Sequence, residues 1–160
     1  MRGHAVREGG QVSAESLKGY QWPESTVAVE RGRVAMFAKA IGETDPIYFD
    51  VEAARAAGHP DLLAPPTFVF GLDLEHSDTL GVLEAHGVNL SGVLHGEQRF
   101  TYHRPVHAGD TLTLRAEFTD YFSKKNGALE FLVRRSELSS NGELVAEMES
   151  VSVIRNGAPS

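Results

Sequence analysis

A set of groups able to move protons lies in Gly42-Glu43-Thr44-Asp45-Pro46-Ile47-Tyr48-Phe49-Asp50, where three carboxylates and a phenol share one short stretch. Carboxylates accept protons and phenols donate them, so the stretch could perform general acid–base work on a bound water. Each residue also has a plainer reading. Asp45-Pro46 builds a turn unaided, Glu43 can be a solvated loop acid, and Tyr48 can be a packed aromatic. Of the seven histidines, His95 stands out, because His95-Gly96-Glu97-Gln98 opens a strand pattern and the glycine lets another backbone or a ligand come close. A satisfied structural histidine is the competing reading there. His59, His76, His86, His103 and His107 lack the spacing of a metal site, so neither a metal nor any other cofactor is expected. With no cysteine in the chain, thiolate nucleophiles and disulfides are excluded, and any thiol chemistry belongs to a substrate.

Positioning those groups requires elements that the hydrophobic pattern outlines. Val34, Phe37, Ala38 and Ile41 fall at helical spacing and Gly42 follows as a stop, which predicts a helix over about 30–41. Asp50 can cap a short helix over 51–57 by accepting its free first-turn amides, with Gly58 ending it. A third helix is expected to open at Pro66, where a missing amide hydrogen costs no intrahelical bond, and to be surrounded by protein because the residues after it are apolar nearly all round. Beyond about residue 90 the period becomes two. Runs over 95–104, 112–118, 128–138 and 143–154, with Asn126-Gly127 and Asn141-Gly142 as turn signals, predict a four-strand antiparallel meander. Val27 and Val29 would add an N-terminal strand, and Gly109 sits where a turn needs positive φ. The third helix is the one apolar element large enough to cover such a sheet, so the fold class is α+β: a single hot-dog fold, an antiparallel sheet wrapped around a central helix.

The bulk composition fits one such domain. At 160 residues, 41% apolar and 23% charged, the chain is an ordinary globular sequence with one core. Its net charge of −7 offers no face for a phosphate backbone, so nucleic acid is not an expected partner. The sequence contains no bilayer-length apolar run and no signal-peptide core, which leads to the expectation of a cytoplasmic protein with no membrane association. Residues 1–16 are expected to be disordered, 17–155 to form the domain, and 156–160 to be a tail.

The segment from Gly42 to Asp50 resembles the MaoC / R-specific enoyl hydratase signature Gly-Asp-x-Asn-Pro-x-His-x-Asp. The likeness continues through Leu63-Ala64-Pro65-Pro66-Thr67-Phe68, His95-Gly96-Glu97-Gln98 and Pro105-Val106-His107-Ala108-Gly109-Asp110-Thr111-Leu112, and covers about residues 20–154. The resemblance implies a place among (R)-specific 3-hydroxyacyl-thioester dehydratases, or FAS1-like dehydratases, in which an Asp and a His add water to an enoyl thioester or remove it. It also implies that a backbone amide at the central helix's N-terminus holds the developing oxyanion.

Carried over by position, the catalytic Asp is Glu43 here, the catalytic His is Tyr48, and the helix-opening His-Gly is Pro65-Pro66. A phenol near pKa 10 substitutes poorly for an imidazole near 6.5, and Pro66 has no amide hydrogen to donate. The pattern is similar to the substrate-binding subunits of heterodimeric (3R)-hydroxyacyl-ACP dehydratases and to the N-terminal halves of double hot-dog hydratases. The chain is therefore read as an acyl-binding component with a degenerate dyad, binding an acyl-CoA or acyl-ACP thioester, and forming a homodimer or a heterodimer with a catalytic MaoC-like chain. Candidate catalytic residues are Glu43, Asp45, Tyr48 and His95, and candidate substrate-binding residues are Pro66, Thr67, Phe68, Phe70, Gly71 and Leu72. Three alternatives stay open: a self-sufficient homodimeric dehydratase using Glu43 with Tyr48 or His95, a hot-dog thioesterase using Glu43 or Asp45, and an acyl-CoA sensor without activity.

Overall fold

The computed structural model describes residues 14–157. Strand β1 (Ser25–Ala28) leads into helices α1 (Arg31–Ala40), α2 (Val51–Ala56), α3 (Phe68–His76) and α4 (Thr79–Ala85), and then into β2 (Val93–Tyr102), β3 (Thr111–Lys124), β4 (Leu129–Ser140) and β5 (Glu143–Arg155). All strand pairs are antiparallel, in the order β1-β3-β4-β5-β2. The sheet wraps around α3, which is the expected hot-dog architecture.

Local signals explain most of these elements. Asp50 caps α2 by accepting from the amides of Glu52 (2.8 Å) and Ala53 (3.3 Å), and Gly58 stands at φ +92° beyond the helix end. Asn141 (φ +51°) and Gly142 (φ +81°) alone join β4 to β5, the double positive-φ turn that Asn-Gly favours. The β3–β4 turn is longer: Lys125, Asn126 and Gly127 all have positive φ. Gly109 (φ +88°) takes its expected left-handed place, and of the two N-terminal valines only Val27 lies within β1.

Three expectations change. The four strands are not one meander, because β2 leaves β3 and pairs with β5 at the far edge of the sheet. The folded part reaches back ahead of residue 17, since Ala14–Leu17 forms a 3₁₀ turn that buries Ala14 and Leu17 against Phe118. Helix α3 begins at Phe68 and not at Pro66, and it is not surrounded: Phe68, Val69, Leu72 and Asp73 are buried, while Leu74 is half exposed.

The core has two parts. One places Phe68, Val69 and Leu72 of α3 against Leu112, Leu114, Leu138, Ala146 and Met148 of the sheet. At about 1.5–3 kcal/mol for each large side chain buried, these three residues seat the helix on the sheet. The other gathers Leu17, Trp22, Leu83, Phe118, Leu132 and Ile154. Near their junction Arg134 of β4 forms a two-pronged ion pair with Asp73 of α3 (2.5 and 2.8 Å), also donates to Ser77 Oγ, and lies over the Trp22 ring at 4.8 Å.

Candidate functional site

The loop between α1 and α2 holds the acidic stretch. Gly42 turns the chain with φ +82°, and Asp45 caps a short 3₁₀ turn over Pro46–Tyr48 by accepting from the Ile47 amide at 3.1 Å. That bond is the turn-building role that Asp-Pro can play in any protein. The loop is tied to the segment leading into α3 by the Leu63 amide donating to the Ile47 carbonyl (3.2 Å). That segment is tied in turn to the β2–β3 connection through Ala64 N–H to Val106 O (2.8 Å) and Ala108 N–H to Leu62 O (2.9 Å).

Between these straps lies an apolar-walled hollow of about 430 Å³, lined by Tyr48, Leu63, Ala64, Pro66, Tyr102, His103, Arg104, Pro105 and Val106. The size is within the usual range for a small-molecule site. Both of its phenols are held neutral. Burial, then the Glu43 carboxylate, then that of Asp45 push Tyr48 above the ordinary tyrosine value. Burial pushes Tyr102 up to about 12, and its hydroxyl donates to the Pro66 carbonyl. The basic side chains at the wall are already engaged. Arg104 donates to Asp110 (3.0 Å) and to the Pro105 carbonyl (2.9 Å), and His103 faces Glu147 at 2.9 Å. Behind the wall His59 Nδ1 and His107 Nε2 share a hydrogen bond of 3.1 Å; burial comes first among the causes that lower His107.

Glu43, Asp45 and Tyr48 thus come together, and Tyr48 and Pro66 line the same hollow. His95 does not join them: it is exposed on β2, its ring edge-on to Phe70 at 5.7 Å. Gly96 forms a bulge there, and a side chain on it would meet Val153 Cγ2 at 2.7 Å, so the close approach suggested by this glycine is made by a neighbouring strand. The proposed substrate-binding residues of α3 divide by helix face. Phe68 (4% exposed, edge-on to Phe37) and Leu72 (0%) belong to the core and cannot line an open pocket in this chain. Thr67, Phe70, Gly71 and Leu74 form the accessible stripe, and nothing lies within 4 Å of where a Gly71 side chain would start. Sequence reasoning did not single out Tyr102 or Arg104. Tyr102 could have been found from its alternation with Phe100 on the inner face of β2; the two rings stack with centroids 6.4 Å apart.

Among the described residues no three metal-ligating side chains cluster, and no helix is long and apolar enough to cross a membrane. Residues 16–148 match the FAS1-like dehydratase domain region. The chain belongs to that family of MaoC-like hot-dog dehydratases. It is 45% identical over 137 residues to a UPF0336 protein of Parafrankia sp. (strain EAN1pec), covering 82% of this chain and 86% of that one. Among solved structures, the C-terminally truncated HadBC (3R-hydroxyacyl-ACP dehydratase) complex of Mycobacterium tuberculosis contains a chain with a TM-score of 0.73 and 30% identity, covering 86% of this chain and 96% of that one. A MaoC-like dehydratase shares the fold with a TM-score of 0.76 at 24% identity; the match takes in 91% of this chain but 44% of that longer one. In this dehydratase family the hollow at the head of α3, with Tyr48 and Pro66 lining it, is the candidate active-site region.

Proposed function

We propose that the chain is the acyl-binding component of an (R)-specific 3-hydroxyacyl-thioester dehydratase and that a second hot-dog unit supplies the acid–base pair. The observation that carries this reading is the pairing of Tyr48 with Pro66 at one hollow. A neutral phenol stands where family resemblance puts an imidazole, and a residue without an amide hydrogen stands where it puts the oxyanion donor. The apolar walls are suited to an acyl group, and the open stripe Thr67, Phe70, Gly71 and Leu74 continues from Pro66 along α3. The stripe and the edge of β2 leave the site open on the side where a second unit would close it. The HadBC relative is a complex of dehydratase chains, and the longer MaoC-like dehydratase has more than twice the length that this chain matches; both are consistent with such a division of labour.

The test is crotonyl-CoA hydration by the purified chain, alone and with a MaoC-like chain that retains Asp and His. Little turnover alone, with acyl-CoA binding retained, is expected. Robust turnover alone that Glu43→Gln abolishes would refute the reading in favour of a self-sufficient enzyme. Chain length is read by titrating C4 and C12 acyl-CoAs. Each methylene removed from water contributes about 0.8 kcal/mol, so the longer chain binds much more tightly if it runs along α3. Gly71→Leu, which the open space accepts, weakens the C12 ligand and spares the C4 one.

A further inference from the structure

The side of the sheet facing away from α3 is banded. From the β3–β4 turn inward, the cross-strand rows read Lys124–Leu129–Arg155, then Phe122–Phe131–Val153–Leu94, then Asp120–Val133–Val151–Glu97, then Glu117–Arg135–Glu149–Arg99. The fourth row is a ladder of alternating charge, as solvated sheet faces usually are. The second row and the centre of the third are apolar: Leu94 is 47% and Phe122 38% exposed, and Phe131, Val133, Val151 and Val153 are half-buried. Phe122 and Phe131 stack at 4.7 Å with Lys124 over both rings. Among the described residues neither Lys124 nor Arg155 has a carboxylate at ion-pair distance, whereas Glu117 meets only the Gln21 amide (3.0 Å) and no cation.

We infer that this face packs on the same face of a second copy, about a two-fold axis that lies between the apolar rows and runs perpendicular to the strands. Such an axis keeps each strand over its counterpart and reverses the order of the rows. Phe131 then covers Val133 and Val153 covers Val151, while the unpaired Lys124 meets Glu117 and Arg155 meets Glu149, each contact made twice by symmetry. An axis parallel to the strands would stack the cationic row on itself. The strands of the two sheets stay aligned, as face-to-face sheet packing requires. Asp120 and Glu97 flank the apolar centre, and such carboxylates oppose a phosphate-rich occupant. Four strands by four rows make a footprint of about 400 Å² per copy, small for a specific interface, so the contact forms at micromolar or higher concentration. It lies on the opposite side of the sheet from the hollow and leaves the β2 edge free, and it stands whether or not the thioester reading does.

The experiment is sedimentation velocity over a concentration series of the full chain, with near-ultraviolet circular dichroism to establish folding. Wild type should show a concentration-dependent doubling of mass. Val151→Lys, at the centre of the patch, should abolish that doubling and leave any smaller assembly intact. Lys124→Glu and Glu117→Lys should each raise the dissociation constant by about tenfold, and the two together should bring it back near wild type, because each reversed charge meets its reversed counterpart. If Val151→Lys fails to fold, the two exposed charge reversals decide alone. No doubling in wild type, a doubling that Val151→Lys leaves unchanged, or a double reversal as weak as the single ones overturns the inference.

Discussion

Removing Asp73 tests how α3 is held on the sheet. The Arg134 and Asp73 side chains are 4% and 2% exposed, and the guanidinium makes two bonds to the carboxylate, one to Ser77 Oγ and a ring contact with Trp22. In Asp73→Ala the cation stays buried without its counter-charge, a loss of about 3–5 kcal/mol for a pair this enclosed. Domains of this kind have about 5–15 kcal/mol in total, so the variant forfeits a large share of its stability. At about 2–4 °C per kcal/mol for a domain of this size, the melting temperature falls by roughly 6–20 °C. The double variant Asp73→Leu/Arg134→Leu removes both charges and leaves apolar side chains in an apolar layer, so it recovers most of the loss. Urea unfolding followed by circular dichroism measures all three proteins. A single variant that costs under about 1 kcal/mol, or a double variant that costs as much as the single one, refutes the argument.

Three further outcomes follow from individual residues. Tyr102→Phe removes the hydroxyl donor to the Pro66 carbonyl and should cost about 0.5–1.5 kcal/mol in urea unfolding while keeping the ring's packing. Burial, together with His59 and Arg104, lowers His107 in the folded state despite the opposing Asp110 and Asp61 carboxylates, so below the ordinary histidine value of about 6.5 the unfolded chain takes up its proton first. The stabilisation is thus full above that pH and declines as pH falls from there through the lowered folded value, and His107→Gln should flatten this part of the melting-temperature profile. Gly142→Val places a β-branched residue at φ +81° and should cost about 1–2 kcal/mol or more, whereas Asn141→Gly should be nearly neutral; equal losses at the two positions would contradict the turn assignment.

Where sequence reading succeeded, the signal was local. Asn141-Gly142 fixed the β4–β5 hairpin and Asp50 fixed the start of α2, because each encodes its own backbone geometry. The placement of β2 was not legible in that way. No tight-turn pair joins Tyr102 to Thr111, and the strand's partner, β5, lies some forty to sixty residues away in the chain, so its pairing depends on the whole sheet. The way the candidate residues on α3 divide, with Phe68 and Leu72 buried and Phe70 and Gly71 accessible, was hidden for a related reason. Phe68, Phe70, Gly71 and Leu72 form one apolar run, and such a run shows that a helix will be largely buried without showing which side meets the sheet. Only once Val69 and Leu72 are seated on Leu112 and Leu138 do Phe70, Gly71 and Leu74 turn outward.

That outward stripe also bears on what kind of object the site is. Leu74, near the end of α3, is half exposed and continues the accessible stripe of Phe70 and Gly71, and it is a contiguous apolar stripe more than a single exposed leucine that marks an interaction surface. Here the opposite face of α3 is already seated on the sheet, and β2, the edge strand among the described residues, touches the open stripe through the His95–Phe70 contact. A surface that joins exposed apolar side chains to unpaired strand amides satisfies both when another strand-edged unit adds to it, since the backbone bonds align the partner while the side chains are buried. The hollow at Tyr48 and Pro66 opens beside the same helix, so an acyl chain that left the hollow along Phe70 and Gly71 would lie between the two units. On the proposed reading the partner would contribute one wall of the channel as well as the acid–base pair.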